Sequence, residues 1–221
     1  MKAEKLMPKD LNHSDADFLR DRLNDLKIEV YLLEGQTNAA LGIFNDKISR
    51  ETDMEEKIKL MIKKTQHETH KIRELEKISE IARENELKMA EADCLTEIGK
   101  AQIENDDPSS ALKSLYESYE IMEKLLSKNS KKTSLLQSLI GKCHILCNQE
   151  ELGLGLLKKN HKYLESSFGI VSEESAFSLR LIGSVELALG NLTHAYKRLT
   201  QAREIFQTLN PKHQEVNLNQ I

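Results

Sequence analysis

Residues 95–115 read LTEIGKAQIENDDPSSALKSL, residues 137–157 read QSLIGKCHILCNQEELGLGLL, and residues 179–199 read LRLIGSVELALGNLTHAYKRL. Each stretch lies 42 residues beyond the one before, and the offset lays like on like. Ile98, Ile140 and Ile182 superimpose, as do Gly99, Gly141 and Gly183, then Ala111, Gly153 and Ala195, then Leu115, Leu157 and Leu199. Ile121, Tyr163 and Ile205 carry the register further. Self-similarity at a period of roughly 20 to 50 residues marks stacked repeats, each too small to bury its own apolar face.

Each unit reads as two helices and a short turn. The first helices are expected over 94–104, 136–146 and 179–189, the second over 109–126, 151–166 and 193–208. Asn105-Asp106-Asp107-Pro108, Cys147-Asn148-Gln149 and Gly190-Asn191 supply the turns, and Asp107 before Pro108 has the chemistry of a helix start. The small residue at Ala111, Gly153 or Ala195 lets paired helices approach, and the leucine four positions on fills the gap. Glycine inside the first helix costs about 1 kcal/mol against alanine. Recurrence at one period therefore implies a packing reason, repaid by roughly 1.5 to 3 kcal/mol for each buried Leu or Ile.

Outward from the repeats, 92–209 is taken as three 42-residue units, 210–221 as a C-terminal tail after Asn210-Pro211, and 1–14 as a disordered N-terminal tail. Phe18, Leu19, Leu23, Leu26, Val30 and Leu33 recur at threes and fours, so 15–51 reads as a degenerate helical hairpin with Gly35 in its turn. Between Gly42 and Gly99 there is neither glycine nor proline, and 52–91 is expected to form one long charged helix. Thr52 and Glu55 make a capping box at its start, and Glu55 with Lys59 and Glu84 with Lys88 sit one turn apart. Its apolar stripe is interrupted at Thr65 and Thr69, which argues for docking on neighbours rather than a long coiled coil. The last repeat would leave a flank that favours self-association.

Composition narrows the function classes. Hydrophobic residues make up 39% and charged residues 31%, a balance that suits thin two-layer helical structure with much solvated surface. Aromatic residues at 5%, with no tryptophan, argue against a β sandwich. The net charge of −4 comes from acids and bases mixed along the chain, so neither nucleic acid nor a membrane surface is an expected partner. No signal sequence and no apolar run of about 20 residues is present, which points to the cytoplasm. Cys94, Cys143 and Cys147 are expected as helical thiols, and Asn191-Leu192-Thr193 as a turn rather than a glycosylation acceptor.

Signals for catalysis or metal binding are poor. Cys143 and Cys147 share a helix face, yet two thiolates do not close a tetrahedral zinc site. His67 and His70 lack the glutamate and third ligand of a zinc helix, and Gly153-Leu154-Gly155 follows no strand and has no third glycine. No nucleophile elbow is present. The expectation is a chain without enzymatic activity, cofactor or metal.

Ile182-Gly183, Gly190, Ala195, Leu199, Ala202 and Pro211 fall in an order that resembles the tetratricopeptide repeat (TPR), in the lengthened form of kinesin light chains. Ser167-Phe168-Gly169-Ile170-Val171-Ser172-Glu173-Glu174 is similar to the link between repeats in that form. Asn160 departs from the pattern, standing where Ala202 stands one unit later. The resemblance implies an all-α fold, a right-handed TPR-like α-solenoid of helix-turn-helix repeats preceded by the long helical segment. It further implies a non-catalytic scaffold that takes a peptide segment or helix of another protein in a concave groove lined by first helices. Outward positions there are Thr96, Lys100, Ser138, Lys142, Arg180 and Ser184, with one base per unit to meet a carboxylate. A cytoskeletal or ciliary assembly, with microtubule or ciliary components as partners, is the implied setting. The alternative is an obligate structural subunit of a larger filament.

Overall fold

The computed structural model describes residues 13–126 and 130–210, and they form helices and short connections with no strand among them. The tails expected at 1–14 and 210–221 lie almost wholly outside the described residues, as does part of the linker after α6. The helices are α1 (His13–Leu33), α2 (Thr37–Arg50), α3 (Met54–Thr65), α4 (Lys71–Glu84), α5 (Lys88–Glu104), α6 (Pro108–Leu125), α7 (Lys131–Leu146), α8 (Glu150–Phe168), α9 (Glu173–Ala188) and α10 (Leu192–Leu209). Contacts divide the chain into two compact units, the first ending at Asn85 and the second beginning at Glu86.

In the first unit α1 and α2 form a hairpin around Ile28, Ala40 and Phe44, with Tyr31, Leu32 and Ile43 packed against them. Gly35 takes φ 73° in the turn, where its N–H donates to Leu32 O and the Gln36 N–H reaches back to Tyr31 O at 2.7 Å. The expected single helix over 52–91 is instead broken twice. Its start is capped by Asp53, whose carboxylate accepts the Glu56 N–H at 2.9 Å, rather than by Thr52 with Glu55. Glu51 orders the approach by accepting the N–H groups of Thr52 and Asp53.

The first break, at 66–70, needs neither glycine nor proline. The Thr65 hydroxyl donates to Ile62 O at 2.7 Å, and the N–H groups of His67 and Glu68 turn back three residues to Lys64 O and Thr65 O. Short polar side chains compete in this way with the helical ladder. Folding back also lets α3 pack on α4, burying Ile58, Leu75, Ile78 and Ala82. A continuous helix would leave part of that stripe in water, at roughly 1.5 to 3 kcal/mol for each large side chain. The second break follows α4, where Glu86 takes φ 56°. α5 accordingly starts at Lys88, four residues before the first repeat was expected.

The second unit is three hairpins in sequence, α5 with α6, α7 with α8 and α9 with α10; α6 packs on α7, and α8 on α9. Glycine and leucine interlock in each pair. A Cβ placed on Gly99 would lie 2.6 Å from Leu115 Cγ, on Gly141 2.9 Å from Leu157 Cγ, and on Gly183 2.9 Å from Leu199 Cγ. The period seen in the sequence is thus a knob of leucine seated where a side chain has been deleted. The turns keep the same step: Asp106, Asn148 and Gly190 all have positive φ, at 58°, 59° and 76°. In each the next N–H bonds five residues back, Asp107 to Gln102 O, Gln149 to His144 O and Asn191 to Glu186 O, at 2.8 to 2.9 Å. These paired bonds satisfy the last carbonyls of the first helices.

Candidate functional site

α7 and α9, the first helices of consecutive hairpins, flank a groove of about 630 Å³. Its walls carry Leu135 and Leu139 from α7 and Phe177 and Leu181 from α9, with Leu164 and Leu199 of the second helices also lining it. Leu135 is 53% and Phe177 50% exposed, so apolar surface is held open to solvent. At the N-terminal ends of the two helices Lys131 bridges Glu174. That hydrogen bond pulls the Glu174 carboxyl below the usual carboxylate range and raises Lys131, so the pair is charged and mutually neutralised.

Of the six positions expected to point outward, four line this groove: Ser138, Lys142, Arg180 and Ser184. Lys142 and Arg180 are exposed and take part in no ion pair among the described residues. The Arg180 guanidinium lies 5.3 Å from the centroid of the Phe177 ring, a cation–π distance. The Ser184 hydroxyl donates to Leu181 O at 2.8 Å. The Ser138 hydroxyl is 3.2 Å from Ser134 O and accepts from Asn160 Nδ2 at 2.9 Å.

Thr96 and Lys100 do not belong to the groove. Thr96 is buried, with its hydroxyl 2.9 Å from Ala92 O and 2.8 Å from Ser118 Oγ, and Ser118 donates in turn to Ala92 O at 2.7 Å. It ties α5 to α6 instead of facing a partner, because a polar residue with a matching hydroxyl across the hairpin is more stable inside than in water. Lys100 is held by Glu97 on its own helix at 2.6 Å.

Asn160 is the equivalent of Ser118 one repeat on. Its Nδ2 donates to Ser134 O at 2.8 Å as well as to Ser138 Oγ, so the departure from the repeat pattern is a polar tether between α8 and α7. Asn160 Oδ1 and Ser134 Oγ are buried without a hydrogen-bond partner, beneath the groove wall. The apolar lining escaped sequence analysis because first helices are apolar on several faces, and periodicity alone does not distinguish a groove wall from a core face.

Two of the thiols, Cys94 and Cys143, are buried and unreactive. Burial pushes Cys94 up to about 12 and Cys143 up to about 11, which keeps both protonated. Among the described residues no three metal-ligating side chains cluster, and no helix is long and apolar enough to cross a membrane. His144 bonds Tyr116 Oη at 2.8 Å and Gln149 Oε1 at 2.6 Å, so it is a structural link between α7, α6 and the turn before α8.

No family model matches the sequence, and no curated protein does. Solved structures do share the architecture. A putative kinesin light chain with nearly identical TPR-like repeats from Podosopora anserina superimposes with a TM-score of 0.67 over 87% of this chain and 97% of that one, at 15% identity. BtubC from P. vanneervenii gives 0.68 over 87% and 82%, at 13% identity. A Rap protein complexed with competence and sporulation factor gives 0.64 over 82% and 53%, also at 13%. At such identities the likeness is one of fold, and it agrees with the interlocked hairpins: the chain is an all-α, TPR-like solenoid of helix-turn-helix repeats.

Proposed function

We propose that the chain is a non-catalytic scaffold that holds a segment of another protein in the groove between α7 and α9. One observation carries this: an apolar wall with Leu135 and Phe177 exposed and Leu139 and Leu181 half-buried stands beside two cations, Lys142 and Arg180, that have no carboxylate partner among the described residues. A peptide or helix with apolar residues followed by acidic ones matches both features. The solved complex of a TPR-like neighbour with competence and sporulation factor supports the use of such a fold for binding. A cytoskeletal or ciliary assembly is the setting we favour. Residues 167–192, SFGIVSEESAFSLRLIGSVELALGNL, resemble tetratricopeptide repeat protein 23 and its paralogue, and the kinesin light chain neighbours support the same setting.

The test is affinity capture from ciliated cells with the full chain and with Lys142→Glu/Arg180→Glu. Partners should be lost from the variant while its helicity by circular dichroism is unchanged. Equal capture by both proteins would reject the groove. Lys100→Glu serves as the neighbouring control and should leave binding intact.

A second function, as an obligate subunit of a larger filament, rests on α10, where Tyr196 is 75% exposed and Leu192 stands beside it, also exposed. Association that Tyr196→Asp abolishes would favour it.

A further inference from the structure

α1 carries an apolar face that α2 does not use. Toward α2 it presents Ile28, Tyr31 and Leu32. On another face Leu19, Leu23, Leu26, Val30 and Leu33 follow one another at spacings of four, three, four and three. That alternation is the 3.5-residue period of a coiled-coil seam. Leu26 and Val30 are each 49% exposed, Leu33 is 88% exposed, and Phe18 is exposed beside them. A strip kept at this period fits another helix, whose side chains enter the holes between its own.

We infer that this face of α1 is a dimerisation seam, occupied by the antiparallel α1 of a second copy of this chain. The strip is self-complementary about its midpoint, between Asn24 and Asp25. Leu23 then meets the partner's Leu26, and Leu19 meets the partner's Val30, each contact made twice by the two-fold axis. Charge fixes the direction. Antiparallel pairing sets Arg22 against the partner's Glu29 on one flank, and neither residue has an ion pair among the described residues. On the other flank Arg20 approaches the partner's Lys27, and that repulsion is muted because Asp17 holds Arg20 at 2.7 Å. Parallel pairing would instead oppose Arg22 to the partner's Lys27 and Glu29 to the partner's Glu34, like against like, twice over. α2 already orders α1, so pairing carries no helix-nucleation cost. A strip along one 21-residue helix is smaller than the roughly 800 Å² per partner of a standard interface, so the pairing belongs with weak, reversible contacts.

Sedimentation velocity of the full chain from roughly 1 to 200 µM should show a monomer–dimer equilibrium. Leu26→Asp/Val30→Asp, exposed in the monomer, should stay monomeric with unchanged circular dichroism. Arg22→Glu and Glu29→Arg should each weaken the dimer about five- to tenfold, and the two together should restore it. Because these charged positions bear no core packing, the exchange remains decisive even if the aspartate variant misfolds. A monomer throughout the range, a dimer indifferent to Leu26→Asp/Val30→Asp, a dimer lost instead on Tyr196→Asp, or a failure of the double exchange to restore pairing would each overturn the inference. None of these outcomes bears on the α7–α9 groove, whose variants lie on other helices.

Discussion

Alanine at Gly99 sets two effects against each other. Relieving a helix interior of glycine is worth about 1 kcal/mol. The new Cβ, however, would stand 2.6 Å from both Cγ and Cδ2 of Leu115, a fully buried side chain whose branch carbon has nowhere to swing. Overpacking of a filled core costs typically 1 to 3 kcal/mol, and this contact is the tightest that any of the three first-helix glycines makes with its leucine, so Gly99→Ala should destabilise by up to about 2 kcal/mol net. Gly183 occupies the same place in the last hairpin, but its Cβ would meet Leu199 at 2.9 to 3.0 Å, and Leu199 is only partly buried. There the two effects should cancel to within about 1 kcal/mol. Gly155, on α8, supplies the control: nothing lies within 4 Å of its Cβ, so Gly155→Ala should stabilise by up to about 1 kcal/mol. Urea unfolding followed by circular dichroism measures all three, and the expected order of stability is Gly155→Ala, then Gly183→Ala, then Gly99→Ala. A Gly99→Ala protein as stable as the Gly155→Ala protein would refute the idea that the 42-residue step records interlocked leucine and glycine.

The turns make an independent prediction. Gly190→Ala forces a side chain to φ 76° and should cost about 1 kcal/mol or more, whereas Asn148→Gly at φ 59° in the equivalent turn should be neutral or slightly stabilising; thermal melts at fixed pH distinguish them. The Lys131 and Glu174 pair predicts a pH dependence. Because the Glu174 carboxyl is lowered in the folded chain, its contribution is complete above the ordinary carboxylate value and fades as pH falls through the folded one. Lys131→Gln should remove that increment, and its acid unfolding curve should move by only a small amount, since the pair lies near the surface. An unshifted curve would mean that the bridge contributes nothing to folding.

The repeat step was legible because glycine and leucine have no substitute at a close helix crossing: Gly99, Gly141 and Gly183 advertise the missing side chain that Leu115, Leu157 and Leu199 fill. The same dependence on glycine made the stretch over 52–91 misleading. Its first break is made by Thr65 through a side chain to backbone bond, and its second by Glu86 in a left-handed conformation that glycine would have signalled. Site positions were legible only in part. Helical periodicity placed Thr96 beside Ser138 and Arg180, and the three are indeed equivalent, but the direction each takes depends on the residue facing it from the second helix. That partner lies 22 residues ahead in sequence, beyond the reach of any helical period.

The facing residue also changes from one hairpin to the next. Ser118 meets Thr96, and both hydroxyls are consumed between α5 and α6. Asn160 meets Ser138 and holds it against α8, leaving its own Oδ1 unused. In the third hairpin the equivalent residue is Ala202, buried in the cluster of Ala176, Leu179 and Ile205. It can accept or donate nothing, so Arg180 has no inward partner and stands over Phe177 in solvent. One register position therefore passes from a buried threonine, through a tethered serine, to a free guanidinium. An exposed cation at this register thus coincides with loss of the polar residue on the second helix, where Ala202 stands in place of Ser118 and Asn160.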